Sequence, residues 1–201
     1  MTKQIIVATH NQGKLQEIRS LLAPLYIEVV GAQELSLPEP EEPYPTFIEN
    51  ALAKARYVSG LTKQPCLADD SGLCVDQLMG APGIFSARYA GHEKSDDKNN
   101  QKLLELLKDE TQRKAHFICC MVLIRHELDP DPIISIGKWY GEIAYKKAGD
   151  NGFGYDPLFY VPVLQKTAAQ LTSAEKNTLS HRAKALNHIV QYLQDDSFFK
   201  S

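Results

Sequence analysis

Residues His116 to Ile124 read His-Phe-Ile-Cys-Cys-Met-Val-Leu-Ile, a run almost without a polar side chain. Successive side chains of a strand face opposite sides of its sheet, so a strand this apolar needs oily cover on both faces. That excludes a sheet with one face in water and predicts a central strand sandwiched between helices. Helical spacing supplies the cover: Leu15, Ile18, Leu21 and Leu22 after Lys14, Leu103, Leu104, Leu106 and Leu107 within Asp96 to Lys108, and Leu186, Ile189, Val190 and Leu193 after Arg182. Thr46-Phe47-Ile48-Glu49 has the form of a capping box and opens an Ala-rich helix expected to run to about Gly60. Lys3 to Thr9, Tyr26 to Val30, Leu67 onward, Gly72 to Val75 and Ile133 to Tyr145 are the other strand candidates. Gly137 and Gly141 mark bends in the last of these, and a turn at Asp129 to Pro132 suggests that it pairs antiparallel with the 116–124 strand. The expected fold class is α/β, a long mixed central β-sheet flanked by helices. Gly80 to Gly83 is read as a turn, Ile84 to Tyr89 as an irregular buried loop, and Asp195 to Ser201 as a frayed tail, leaving one domain over 1–194.

A formal net charge of −3 argues against a polynucleotide partner, which would call for a basic excess. The chain has no apolar run of the roughly 18 residues a membrane span needs, and Met1 to Gln4 leads into Ile5 without the pattern of a signal peptide, so a cytoplasmic protein is expected. Cys66, Cys74, Cys119 and Cys120 form no Cys-x-x-Cys pair and read as reduced core residues, with Cys119 and Cys120 facing opposite sides of their strand. The histidines lack zinc-ligand spacing.

Chemistry gathers in four places. In Leu67-Ala68-Asp69-Asp70-Ser71-Gly72 an apolar strand delivers two carboxylates, and strand alternation lets only one of them face a ligand. A carboxylate at a strand end beside glycine suits Mg²⁺, and the alternative is a solvated turn. Thr9-His10-Asn11-Gln12-Gly13-Lys14 joins a strand to a helix start, where unpaired N–H groups and Lys14 suit phosphate; Asn11 also reads as a plain helix N-cap. Leu37 to Pro45 holds four prolines and is an acidic loop, either a solvated connector or the source of a second metal ligand. Gly149 to Pro157 is a glycine-rich loop in which Phe153 can stack on a nucleobase while backbone groups read its edge, or else a plain hairpin loop. Thr172 to Glu175 is another capping box, followed by Lys176, and Ser180-His181-Arg182 places two basic residues at a helix start, where the dipole does not favour them.

Six blocks in this order resemble the inosine triphosphate pyrophosphatases, enzymes acting on deaminated purine nucleoside triphosphates. They are Thr9-x-Asn11-x-x-Lys14, Thr46 to Ala51, Ala68 to Leu73, Gly80 to Tyr89, Gly152 to Pro157 and Ser180 to Arg182. The resemblance spans Ile5 to Leu193. It implies two lobes around a deep active-site cleft, a homodimer, and Mg²⁺-dependent hydrolysis of ITP, dITP and XTP to the monophosphate and pyrophosphate, cleansing the nucleotide pool. It implies Asp70 as general base and metal ligand, Glu42 as second metal ligand and Ser71 as a substrate contact. Phosphate binding falls on Thr9, His10, Asn11, Gln12, Gly13 and Lys14, and base and sugar binding on Phe153, Gly154, Tyr155, Asp156, Lys176, His181 and Arg182. His10 stands where bacterial members usually carry glycine, so its contribution is expected through the backbone. The prolines around Glu42 also depart from the family pattern. A nucleotide sensor without turnover, or a pyrophosphatase for modified pyrimidine triphosphates, would share most of these residues.

Overall fold

The computed structural model describes residues 3–195, 198 and 199. Seven strands form one sheet: β1 (Gln4–Val7), β2 (Glu28–Gly31), β3 (Cys66–Val75), β4 (Lys114–Ile124), β5 (Ile133–Ile143), β6 (Phe159–Val161) and β7 (Lys166–Thr167). Their order is β2-β1-β3-β4-β5-β6-β7, which puts the apolar β4 in the middle, as its composition demands. β1 runs parallel to β2 and β3, whereas β6 is antiparallel to β5 and β7, so the sheet is mixed. The helices are α1 (Gln12–Leu22), α2 (Phe47–Thr62), α3 (Asp96–Leu106), α4 (Ser173–Leu179) and α5 (His181–Leu193).

The chain divides into two compact units, Met1–Asp70 with Cys119–Gly137 and Arg182–Ser201, and Ser71–Ile118 with Lys138–His181. In the first unit the strand alternation is visible residue by residue. Ile5, Val7, Leu67, Cys119, Met121 and Leu123 pack on α1 and α5, while Ile6, Ala8, Cys66, Ala68, Cys120, Val122 and Ile124 pack on α2. Burying each of the large aliphatic side chains contributes about 1.5–3 kcal/mol. The second unit has its own core, in which Phe117, Trp139 and Phe159 pack with Leu103 and Leu107. Among the described residues no helix is long and apolar enough to cross a membrane.

Four expectations need correction. Asp69 and Asp70 do not end a strand: β3 runs unbroken from Cys66 through both carboxylates and Gly72 to Val75, so the two candidate strands are one. Tyr26 lies outside β2, because the turn Ala23–Leu25 opened by Pro24 closes on Tyr26 at φ 54° and leaves its ring exposed. The stretch at Ile84 is a 3-10 helix, Gly83–Arg88, and it is mostly not buried: Phe85 is half exposed, and the inward position belongs to Ser86. Its hydroxyl donates to Gly83 O at 2.6 Å and accepts from Leu73 N at 2.9 Å, so a polar side chain can sit there. The expected tail falls partly outside the described residues, but within it Phe198 is buried in the first unit's core and Phe199 packs against it.

Candidate active site

Alternation along β3 sends its two carboxylates into different surroundings. Asp69 lies on the α1/α5 side, 1% exposed, with Oδ2 at 3.0 Å from Lys14 Nζ and 3.6 Å from Arg182. Arg182 is itself buried at the start of α5 and also pairs with Glu17 on α1. Burial alone would raise the proton affinity of Asp69, but Lys14 and Arg182 outweigh it and hold the carboxyl well below the usual range. Asp70 lies on the α2 side. Its Oδ2 accepts from Asn50 Nδ2 at 3.2 Å, and its Oδ1 is 3.7 Å from Lys54 Nζ. Here burial wins over Lys54, with Glu42 adding repulsion, and the carboxyl is raised above its ordinary value. Two neighbouring aspartates thus have their proton affinities driven apart, the pattern that separates a charged structural group from a group able to take up a proton.

Lys54 Nζ reaches Glu42 Oε1 at 2.6 Å, so its ammonium sits within reach of both Glu42 and Asp70. Burial would lower the Lys54 pKa, yet Asp70, Glu42 and Asp69 raise it, and the side chain stays cationic. Among the described residues no cluster of three or more His, Cys, Asp or Glu could hold a metal. Two carboxylates still fit Mg²⁺, which takes oxygen ligands and completes its shell with water and substrate phosphate rather than needing an all-protein cage.

The turn Thr9 to Lys14 feeds α1 as anticipated. Asn11 is its N-cap, accepting from Lys14 N at 3.0 Å, and its own N–H donates to Thr9 Oγ1 at 3.2 Å. Gln12 donates to Gln33 Oε1 at 2.6 Å, and Gly13 lies in the first turn of α1. The Lys14 side chain, assigned to phosphate, rests on Asp69. The His10 imidazole is directed to Leu37 O, with Nε2 at 2.8 Å.

In the second unit Asp156 organises the glycine-rich loop. Its buried Oδ2 accepts from Phe153 N at 3.0 Å and from Lys176 Nζ at 2.7 Å, and the same ammonium lies 4.8 Å from the centre of the Phe153 ring. One face of Phe153 is therefore covered by a cation. The backbone of Gly154, expected to read a base edge, is already engaged: its N–H donates to Asp96 Oδ2 at 2.7 Å and its carbonyl accepts from Asn100 Nδ2 at 2.8 Å. Tyr155 points into the core and donates to Ser86 O at 2.9 Å. Only glycine or another left-handed residue suits positions 152 and 154, at φ 79° and 62°. His181 is buried with its ring stacked 4.8 Å from that of Phe117. Ser71 follows Asp70 in β3 and is only partly buried.

Lys54 and Glu17 were not singled out in the sequence, and Asn50 entered only within the Thr46 to Ala51 block with no role of its own, although a signal existed. Asn50 and Lys54 share the buried stripe of α2 with Ala51, Ala55 and Val58, and a lysine on such a stripe requires a carboxylate opposite. Glu17 is one helical turn from Lys14 and adjoins the buried Ile18.

A profile of the Ham1 family matches residues 5–192. A dITP/XTP pyrophosphatase of Nitrosomonas europaea is 53% identical over 193 residues, covering 96% of this chain and 95% of that protein. One from Ralstonia nicotianae is 52% identical, covering 96% and 97%. Among solved structures, a HAM1 protein from Coxiella burnetii superposes with TM-score 0.88 at 47% identity, covering 96% of this chain and 98% of that one. The Ham1 protein of Staphylococcus aureus gives 0.84 at 41% identity, with coverage of 96% and 98%. With a family match across almost its whole length and relatives about half identical, the chain belongs to the Ham1 family.

Proposed function

We propose that this protein hydrolyses deaminated purine nucleoside triphosphates, ITP, dITP and XTP, to the monophosphate and pyrophosphate. The observation that carries the reading is Asp70, a buried carboxylate with raised proton affinity held between Asn50 and Lys54 beside Glu42, in a chain whose relatives bear the name dITP/XTP pyrophosphatase. Asp70 takes the proton from the water that attacks phosphorus, and Asn50 fixes its orientation. Lys54 stays charged and limits the repulsion between Asp70 and Glu42. Mg²⁺ held by Asp70 and Glu42 would supply positive charge against the phosphate oxygens and a more acidic water. Lys14 and the N–H groups opening α1 bind phosphate, Thr9 and Asn11 hold that turn in shape, and Ser71 contacts the same substrate. Phe153, Lys176 and His181 bind base and sugar, with the loop Phe153 to Asp156 shaping the contact. Arg182 donates to the 6-oxo group that deaminated purines carry and adenine lacks. Its guanidinium is held by Glu17 and Asp69, which fix its orientation.

The same reading has the protein working in the cytosol as a homodimer, which light scattering in solution tests. The deciding experiment is pyrophosphate release from dITP, XTP, ITP, dATP and dGTP with and without Mg²⁺. Release from the first three, dependent on the metal, is expected. Tight binding without release would make the protein a sensor.

A further inference from the structure

The acidic loop Leu37 to Pro45 carries Glu42 but cannot hold itself in place. Pro38, Pro40, Pro43 and Pro45 have no N–H to give, and the segment is neither helix nor strand. Its ends are fastened from outside. At the far end Asn50 accepts from Tyr44 N at 3.0 Å and donates to Tyr44 O at 3.1 Å, while donating to Asp70. Lys54 grips Glu42. At the near end Leu37 N donates to Ala32 O at 3.1 Å, and Leu37 O meets the His10 imidazole at 2.8 Å, across 27 residues of sequence. A carbonyl only accepts, so Nε2 carries the proton and donates. The other ring nitrogen, Nδ1, is buried with no hydrogen-bond partner among the described residues. The ring therefore makes one polar commitment, and it is to the loop that bears Glu42.

We propose that His10 is a positioning residue: it ties the Thr9–Lys14 turn to the acidic loop, so that the placement of Glu42 depends on the same segment that takes the phosphates. This rests on the metal-dependent reading above and gives the His10 side chain a role that contact with substrate does not. Glutamine extends an amide N–H to about the position of Nε2, whereas asparagine reaches only about as far as Nδ1. The two substitutions separate the link to Leu37 from any role of the nearer nitrogen.

The test uses His10→Ala, His10→Asn and His10→Gln in the whole protein. Hydrogen exchange by mass spectrometry, with no ligand added, should show peptides covering Leu37 to Tyr44 exchanging at least about threefold faster in the Ala and Asn variants and near the wild-type rate in the Gln variant. In steady state the Mg²⁺ concentration for half-maximal dITP hydrolysis should rise at least about threefold in Ala and Asn and recover in Gln. The KM for dITP at saturating Mg²⁺ should change less than about twofold. Unchanged exchange in His10→Ala would overturn the link. So would a raised KM at unaltered Mg²⁺ requirement, which would make the imidazole a substrate contact. If the wild-type enzyme is indifferent to Mg²⁺, the metal reading fails by itself, and the exchange measurement still decides whether His10 holds the loop.

Discussion

Asp69 and Asp70 are chemically identical, adjacent in β3 and both buried, yet one is held ionised and the other is driven toward its neutral form. The difference lies in what each face of the sheet offers. On the α1/α5 side Asp69 meets two cations, Lys14 and Arg182, and Glu17 adds a further carboxylate against the arginine. On the α2 side Asp70 has an amide and a lysine that is closer to Glu42 than to it. A buried carboxylate with strong cationic partners is a structural anchor. One with weaker compensation can accept a proton during a reaction. The pleat of a single strand thus separates stability from chemistry over one residue.

The sharpest way to break this comparison is to neutralise each carboxylate in turn. Asp70→Asn should fold and lose turnover by about 10²–10⁴, because an amide cannot accept the proton. The measurement is kcat together with a urea midpoint near that of the wild type. Asp69→Asn should do the reverse, costing up to about 3–5 kcal/mol of stability, the range for broken buried ion pairs, because the partly buried Lys14 loses its carboxylate and the buried Arg182 is left with Glu17. Urea unfolding reads this directly, and a larger loss of kcat than in Asp70→Asn would reverse the assignments.

Smaller effects refine the picture. Lys14→Met should weaken an unhydrolysable triphosphate by roughly 1.5–3 kcal/mol, the range for hydrogen bonds to charged groups, and the nucleoside far less. An equal loss for both, by calorimetry, would make Lys14 a partner of Asp69 alone. Arg182→Ala should lower kcat/KM for ITP more than for ATP and shrink their ratio at least tenfold, about 1.4 kcal/mol. A constant ratio would leave Arg182 as an anchor for Asp69 and return base selection to the second unit.

The smallest expected signal is in pH dependence, where the two sites should differ in sign. The lowered pKa of Asp69 contributes stability that is present above the ordinary carboxylate range and is lost as pH falls through its depressed folded value. The raised pKa of Asp70 contributes stability that is present below that range and lost as pH rises through its folded value. Urea titrations from acid to neutral should show the gap between wild type and Asp69→Asn closing toward acid, while the gap for Asp70→Asn moves in the opposite direction. Parallel curves would mean that the two environments do not differ.

Much of this was legible in the chain. The apolar run of β4, the helical spacing of Leu15 and Ile18, and the opposite facing of Cys119 and Cys120 follow from periodicity, which depends only on local geometry. The opposite facing of Asp69 and Asp70 was legible for the same reason. Their place in mid-strand was not, because Asp-Ser-Gly favours a turn locally and only pairing with neighbours overrides it. Which aspartate meets which cation depends on α1, α2 and α5, far apart in sequence, so Lys54 and Glu17 had no local signature beyond a charge on a buried stripe. The glycine-rich loop misled for a related reason. Gly154 looked open to a ligand, but its amide and carbonyl are taken by Asp96 and Asn100 of α3, residues more than fifty positions away.

The unbroken course of β3 from Cys66 to Val75 also bears on how this gene can change. Loss or gain of one codon between Cys66 and Ala68 would shift the downstream strand by one step and turn every following side chain to the other face. With one residue lost, Asp70 would stand where Asp69 now meets Lys14 and Arg182; with one gained, Asp69 would stand where Asp70 now meets Asn50 and Lys54. Because the neighbours on each side are fixed by separate helices, one place would keep a carboxylate and the other would receive Ser71 or Ala68. Substitutions within this stretch can be absorbed one at a time, but a frame of one residue cannot, and the segment is expected to tolerate no length variation in functional descendants.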